Sequence, residues 1–299
     1  MRITAKPGPN DSLMDVGGIK VGQVHDARVN TGVTVIVPDA PAAMGVDVRG
    51  GGPGTRETDA LNPACLVEKA HAVVLSGGSV FGLAAADGVV AALSAKGVGL
   101  SVGPMPVPVV PGAILFDLSN GGDKAWGTEP PYRTLGMRAV DALSNELATG
   151  RVGAGYGARA GAVQGGVGSA SYVLEDGSVV AALVAVNSFG SAGGAASFTP
   201  GTVEMPKVGF VGTNTTIAVV ATNVSLGKAA CERLAIMAHD GLARAIKPIH
   251  TPFDGDTVFA LSTGARPASE NMPAQLAMLG ALAADALERA VAKAVAAAN

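Results

Sequence analysis

The chain is 299 residues long, 48% hydrophobic and 15% charged, which is enough for one large domain or two ordinary ones with a sizeable buried core. A net charge of −3 without a Lys/Arg cluster gives no phosphate-binding stripe and no reason to expect nucleic acid, while abundant Val, Ala and Leu and the absence of a Gly-X-Y period exclude disorder and collagen. Cys65 and Cys231 are too few for a disulfide framework and fit a cytoplasmic protein. The first residues lack the apolar core of a signal peptide. The most apolar windows, such as 82–93 with Asp87 inside it, are too short for a membrane span. Glycine at 42 residues and aromatics at only 4% predict thin layers packed closely together.

In chain order, residues 17–24 and 32–37 read as short strands around a polar turn. Residues 46–49 then run into a loop, because Gly50, Gly51, Gly52, Pro53 and Gly54 hold no regular element. With Asp47, Arg49, Arg56, Glu57 and Asp59 nearby, that loop is either a solvated segment tied by ion pairs or the rim of a substrate site. Residues 71–82 read as strand, glycine turn and helix, with Ser79 as N-cap of a helix over 80–95. A serine-nucleophile elbow is rejected because Phe81 stands where that motif needs glycine. A strand follows at 98–102. The apolar segment 107–117 is expected to stay out of central-strand pairing because of Pro108 and Pro111.

Residues 132–147 read as a helix. Residues 153–158 satisfy a Gly-x-Gly-x-x-Ala pattern on paper, but they follow no convincing strand and lead into glycines rather than a helix, so no dinucleotide site is read there. The clearest hairpin is 167–174 with 179–186 about the turn 175–178. It ends at Asn187, either a turn residue or a donor to an oxyanion. Residues 193–206 read as a surface linker.

The stretch 208–223 carries the most information. Residues 217–222 form a continuous β-branched and alanine run suited to a fully buried strand, preceded by Asn214, Thr215 and Thr216. The two hydroxyls are ordinary strand-end chemistry, or Thr215 becomes a new N-terminus. Cleavage of the Asn214–Thr215 bond would give one residue a hydroxyl nucleophile and an amine to act as its base. A helix over 228–246 stops at Pro248. Asp254 and Asp256, separated by Gly255 at the start of a strand, converge if the backbone turns there. Four scattered histidines give no zinc spacing and the carboxylates are too few for a calcium loop, so no metal is expected. Residues 274–298 are a final helix. Strands on both sides of a glycine-rich middle, with helices near 80, 132, 228 and 274, predict stacked antiparallel sheets faced by helices on both outer sides, in one domain over 1–299.

Five segments carry a family resemblance: Val46-Asp-Val-Arg-Gly-Gly-Gly-Pro-Gly-Thr-Arg-Glu-Thr-Asp59, Val73-Val-Leu-Ser-Gly-Gly-Ser-Val-Phe-Gly-Leu-Ala-Ala-Ala-Asp-Gly88, Gly165-Gly-Val-Gly-Ser-Ala-Ser171, Asn214-Thr-Thr-Ile-Ala-Val-Val-Ala-Thr-Asn223 and Thr251-Pro-Phe-Asp-Gly-Asp-Thr-Val-Phe259. In order and over nearly the whole chain, they resemble the DmpA-type L-aminopeptidase/D-esterases, a family that includes β-peptidyl aminopeptidases and nylon-oligomer (6-aminohexanoate oligomer) hydrolases. The resemblance implies an α+β protein, a four-layer α/β/β/α sandwich of the N-terminal-nucleophile type related in fold to ornithine acetyltransferase. It also implies self-processing into an α-chain, 1–214, and a β-chain, 215–299, that stay together. Carried over residue by residue, Thr215 is the nucleophile, Asn187 stabilises the oxyanion, and Asp254 and Asp256 organise the nucleophile. No cofactor is implied. The expected partners are a small peptide or amide-oligomer substrate and further copies of the chain, as a cytoplasmic homotetramer of α/β heterodimers; positive mean hydropathy, +0.37, also suggests apolar surface buried between subunits.

Two positions depart from the family pattern. Gln164 stands where the nylon hydrolases carry a catalytic Lys, with Arg159 as a conceivable substitute, and Phe116 stands where a Tyr would offer a second oxyanion donor. The alternatives to a self-cleaving amidase are an acyltransferase of the ornithine acetyltransferase type and an uncleaved, inactive relative.

Overall fold

A computed structural model describes residues 3–193, 197–205 and 214–299. In chain order the described residues form β1 (Ile19–Asp26), β2 (Thr31–Pro38), β3 (Ala43–Val48), β4 (Thr55–Arg56), β5 (Val73–Ser76), α1 (Ala84–Ala95), β6 (Gly112–Ile114) and α2 (Tyr132–Asp141). They continue with β7 (Arg159–Ala160), β8 (Val163–Gln164), β9 (Gly166–Val173), β10 (Val179–Asn187), β11 (Ser191–Ala192), β12 (Thr215–Val224), α3 (Lys228–Ala245), β13 (Ile246–Lys247), β14 (Thr257–Arg266) and α4 (Met272–Ala298). One five-stranded sheet runs β1-β2-β5-β6-β4 and the other β3-β14-β12-β10-β9.

Alternation along each strand sends successive side chains to opposite faces, and here both faces are covered. In the second sheet Ala181, Leu183, Ile217, Val219 and Phe259 point into a core shared with Ile36, Val73 and Leu75 of the first. Their sequence neighbours Val180, Ala182, Val184, Ala218 and Val220 pack with Leu234, Leu242, Leu279 and Leu287 of α3 and α4. In the first sheet Val33, Val35 and Val74 pack outward with Val89, Leu93 and Leu135 of α1 and α2. The result is the α/β/β/α sandwich, and burial on both faces explains why β10 and β12 lack a polar stripe.

The hairpin β9–β10 pairs Val173 with Val179 where the sequence predicts it, whereas β1–β2 pairing runs on to Asp26 with Thr31, into the residues expected as turn. The strands β12 and β14 lie parallel at the centre of the second sheet, Ile217 beside Thr257, and α3 supplies the long crossover that parallel neighbours require. Among the described residues no helix is long and apolar enough to cross a membrane.

Several local expectations are corrected. Ser79 is not an N-cap: it lies inside a 3-10 turn, Ser79–Leu83, with φ 51°, and the α-helix begins only at Ala84. Residues 98–102 form no strand; Leu100 makes a single bridge to Val107, and left-handed glycines at 97 and 99 break the run. The strand β6 has neighbours on both sides. It starts one residue after Pro111, whose carbonyl accepts from Val74 N–H at 3.0 Å, so the prolines set where pairing starts rather than prevent it. Helix α2 stops at Asp141 because Ser144 pairs with Val21 across the edge of β1, with N···O distances of 3.0 and 3.1 Å. Of the expected linker 193–206, residues 194–196 and 206 lie outside the described residues.

The helices α3 and α4 approach through small residues. A Cβ built on Gly241 would lie 2.1 Å from the Ala284 carbonyl oxygen, so the backbones cannot sit this close with any side chain there. Alanine is about 1 kcal/mol better than glycine in a helix interior, yet overpacking typically costs 1–3 kcal/mol. Gly241→Ala is therefore expected to lower the urea midpoint and the Tm; a rise in either would show that the helix pair relaxes freely.

Candidate active site

Register brings the site together. Antiparallel pairing places Asn187, the last residue of β10, opposite Thr215, the first of β12. A parallel bridge between Asn214 and Asp254 draws in the loop ahead of β14. Four sequence-predicted residues thus meet at one end of the second sheet, with Thr215 and Asn187 1% exposed and Asp254 and Asp256 fully buried.

The Asn214–Thr215 junction is shaped by its neighbours. Thr215 Oγ1 donates to the Asn214 carbonyl oxygen at 2.5 Å, and the same oxygen accepts the Gly255 N–H at 3.0 Å. A Cβ on Gly255 would fall 2.6 Å from Thr215 Oγ1 and 2.8 Å from the Gly52 carbonyl oxygen. Glycine between the two aspartates is therefore a requirement of close approach, which sequence reading took only as a spacer.

The carboxylates are held by N–H and O–H groups. Asp256 Oδ1 accepts from Thr216 N–H at 2.7 Å, and its Oδ2 from His250 Nδ1 at 2.8 Å and His250 N–H at 3.1 Å. Asp254 Oδ2 accepts from Thr251 Oγ1 at 2.6 Å and Thr251 N–H at 2.9 Å, and its Oδ1 from Phe189 N–H at 3.2 Å. Burial, and then the like charge of Asp256, push the Asp254 carboxyl above its ordinary range. Behind this pair, burial pushes His239 down to about 4; its Nε2 lies 3.0 Å from the Asp47 carbonyl oxygen, and its ring packs edge-to-face on His250 with centroids 4.9 Å apart. Neither histidine was singled out from the sequence. The available signal was His250 four residues ahead of Asp254.

Asn187 is oriented from three sides. Its Oδ1 accepts from Arg159 N–H at 2.9 Å and from Asn120 Nδ2 at 3.5 Å, which turns Nδ2 toward the Phe116 carbonyl oxygen at 3.0 Å. Phe116 therefore acts through its backbone, not its ring. Gln164 gives its Nε2–H to the Ala158 carbonyl at 2.6 Å and sits beside Arg159 in the short β7–β8 pair. The Arg159 guanidinium is turned to the Ala162 carbonyl at 3.2 Å on the exposed side, so it does not replace a lysine at 164. The glycine-rich loop 50–52 backs the site: Gly52 N–H donates to the Asp254 carbonyl at 2.7 Å, and Arg49 N–H to the Asp256 carbonyl at 2.9 Å. Its flanking charges do form ion pairs, Arg49 with Asp47 and Arg56 with Asp87.

Residues 11–299 match the family model described as peptidase family S58. The chain belongs to peptidase family S58. As a member it is a hydrolase acting on amide bonds. An uncharacterized aminopeptidase of Mycobacterium tuberculosis is 43% identical, over 94% of this chain and 92% of its own. A 6-aminohexanoate-oligomer endohydrolase of Kocuria sp. is 32% identical over 83% of this chain and 74% of its own. Among solved structures, a β-aminopeptidase of Burkholderia sp. superposes with TM-score 0.75 at 25% identity, covering 98% of this chain and 89% of that one. An L-aminopeptidase D-Ala-esterase/amidase from Ochrobactrum anthropi, described as a variant of the Ntn-hydrolase fold, gives 0.74 at 22% identity over 100% and 89%. This S58 chain thus has the fold of those peptidases.

The raised Asp254 carboxyl has a signed consequence. The unfolded chain releases this proton near the ordinary value of 3.8, while the folded chain retains it to higher pH. The stability it contributes is therefore full below that value and lost as pH rises toward the folded value. Measured against Asp254→Asn by urea unfolding from about pH 3.5 to about pH 7, wild-type stability is expected to fall relative to the variant; a rise would place the charged form as the one the fold prefers.

Proposed function

We propose that this S58 hydrolase cuts itself between Asn214 and Thr215 and then uses Thr215 to hydrolyse amide bonds of small peptides or of 6-aminohexanoate-type oligomers. The supporting observation is the junction itself: a buried Thr215 Oγ1 hydrogen-bonded to the Asn214 carbonyl, with Gly255 N–H on the same oxygen. Attack of Oγ1 on the Asn214 carbonyl carbon puts negative charge on that oxygen, where the Gly255 amide already points. The C–N bond breaks, the nitrogen takes the hydroxyl proton, and Asn214 is left as an ester on Thr215. Water hydrolyses the ester, releasing the Asn214 carboxylate and a free Thr215 amine.

That amine has an ordinary pKa of about 7.7–8.0, suited to accepting the hydroxyl proton at neutral pH. Attack on a substrate carbonyl gives an acyl-enzyme on Thr215, the leaving amine departs with the proton, and water completes the cycle. Asn187 is the assigned oxyanion donor for this second reaction, since one of its two Nδ2 protons is engaged by Phe116 and the amide is held in orientation. Asp256 holds the Thr216 N–H beside the nucleophile, and Asp254 ties the Phe189 N–H just past β10 to Thr251 in the loop ahead of β14. The two pieces, 1–214 and 215–299, remain one unit on this reading, since β12 is flanked by β10 and β14 within a single sheet. The enzyme acts as a cytoplasmic homotetramer; exposed Val80, Phe81, Val102 and Met105 supply apolar surface for such contacts. The substrate classes follow the names of the mycobacterial and Kocuria relatives.

Intact mass of the purified protein tests the first half. Wild type is expected as two pieces divided between Asn214 and Thr215, and Thr215→Ala as one; an uncut wild type, stable over days, points instead to the inert relative. For the second half, Asn187→Ala is expected to lower kcat on a short amide by about 10²–10³-fold. Transfer to an added amine that outruns hydrolysis would favour the acyltransferase reading.

A further inference from the structure

We propose that His250 is a positioning residue of this site: it fixes one oxygen of Asp256 and thereby holds the other on the backbone N–H next to the nucleophile. The inference rests on the reading of Thr215 given above and adds a residue that the reading does not use.

Two donors of one residue converge on a single oxygen. His250 gives both its Nδ1–H and its backbone N–H to Asp256 Oδ2, at 2.8 and 3.1 Å. With that oxygen pinned, Oδ1 is directed to Thr216 N–H at 2.7 Å, one peptide unit from the Thr215 side chain. A carboxylate held at one oxygen only would rotate about its Cβ–Cγ bond, and its like-charged neighbour Asp254 gives it a reason to do so.

His250 has φ 55°, in the left-handed region where glycine is the easy choice and asparagine and histidine are tolerated better than most side chains, so the turn can be kept while the ring is changed. The ring is braced from behind by His239, whose own Nε2–H is taken by the Asp47 carbonyl. These acceptors fix the tautomers, with the protons on His250 Nδ1 and His239 Nε2. The remaining nitrogens, His250 Nε2 and His239 Nδ1, are buried and have no hydrogen-bond partner among the described residues. Unpaired buried lone pairs cost stability, so the pair of rings is a poor device for folding alone. A line of contacts runs from Asp47 on β3, through His239 on α3 and His250, to Asp256 and the start of β12.

The test separates the ring's donor from the turn it occupies. His250→Gly keeps the left-handed turn and removes the donor, whereas His250→Asn keeps the turn and offers an Nδ2–H in nearly the same place. Self-cleavage is followed on a denaturing gel from a freshly expressed full chain, and kcat and KM are measured per cleaved chain on a short amide. The glycine variant is expected to lose about tenfold or more in both cleavage rate and kcat, with KM within about twofold, and asparagine to restore both to within about threefold of wild type. Should the glycine variant be insoluble, His250→Leu, isosteric with Asn but uncharged and without a donor, makes the same comparison. Equal behaviour of the donor and donorless variants, or a loss confined to KM, overturns the positioning role while the Thr215 reading stands. A wild type that neither cleaves nor hydrolyses amides overturns both.

Discussion

Two carboxylates of like charge, two residues apart and fully buried, are the constraint around which the rest of this structure is arranged. Among the described residues no lysine or arginine forms an ion pair with Asp254 or Asp256. Charge taken out of water without a counter-ion is tolerated only when its lone pairs are met by hydrogen bonds. The donors come from the end of β10 (Phe189), the start of β12 (Thr216) and the loop before β14 (His250, Thr251). Satisfying the carboxylates therefore fixes three pieces of backbone relative to one another, and those pieces carry Asn187, Thr215 and Gly255. The loop 50–52 closes the arrangement from the other side by donating to the carbonyls of the same two aspartates.

The sandwich makes that end of the sheet possible. The central strands are buried on both faces, so their ladders are shielded and their register is pinned by two cores at once. A slip of one residue between β10 and β12 would reverse every side chain and separate Asn187 from Thr215. The parallel pairing of β12 with β14 sets both strand starts at the same end, and α3 is the crossover that allows it. The polar residues of the site are thus confined to strand ends, where the ladder stops and N–H groups become available to carboxylates.

Legibility from the sequence followed the range of the interactions involved. The β9–β10 hairpin, the buried run of β12 and the helices α3 and α4 were readable because periodicity and turn residues are local. The errors came where tertiary pairing overrode local propensity. Residues 142–147 continue a helical pattern yet are drawn out by Ser144 pairing with Val21, and 98–102 are apolar without a sheet to join. Ser79 looked like a cap because capping is inferred from residue type, whereas its φ of 51° is visible only in three dimensions. In the site, the hydroxyl and carboxyl residues were named in advance from their resemblance to a known family, and the structure brings them together. Gly255, His250 and His239 were not named, since a close approach, a second donor to a carboxylate and a ring braced by another ring leave no spacing in the sequence.

The same geometry bears on how one nucleophile can serve two reactions on the proposed reading. In the uncut chain the Asn214 carbonyl oxygen faces a backbone donor, Gly255 N–H, while Asn187 Nδ2 is engaged with the Phe116 carbonyl. Self-cleavage has no diffusing substrate to orient, so a donor built into the main chain and always in place is sufficient for it. Turnover must bind, release and rebind a carbonyl, which suits a side-chain amide that is fixed at Oδ1 by Arg159 N–H yet has a second N–H proton to give. Cleavage also converts the Thr215 nitrogen from a peptide N–H, which cannot act as a base, into an amine that can. On that reading the new amine forms one peptide unit from the Thr216 N–H that Asp256 accepts, so a positive charge would appear beside a carboxylate that, among the described residues, is otherwise satisfied by hydrogen bonds alone.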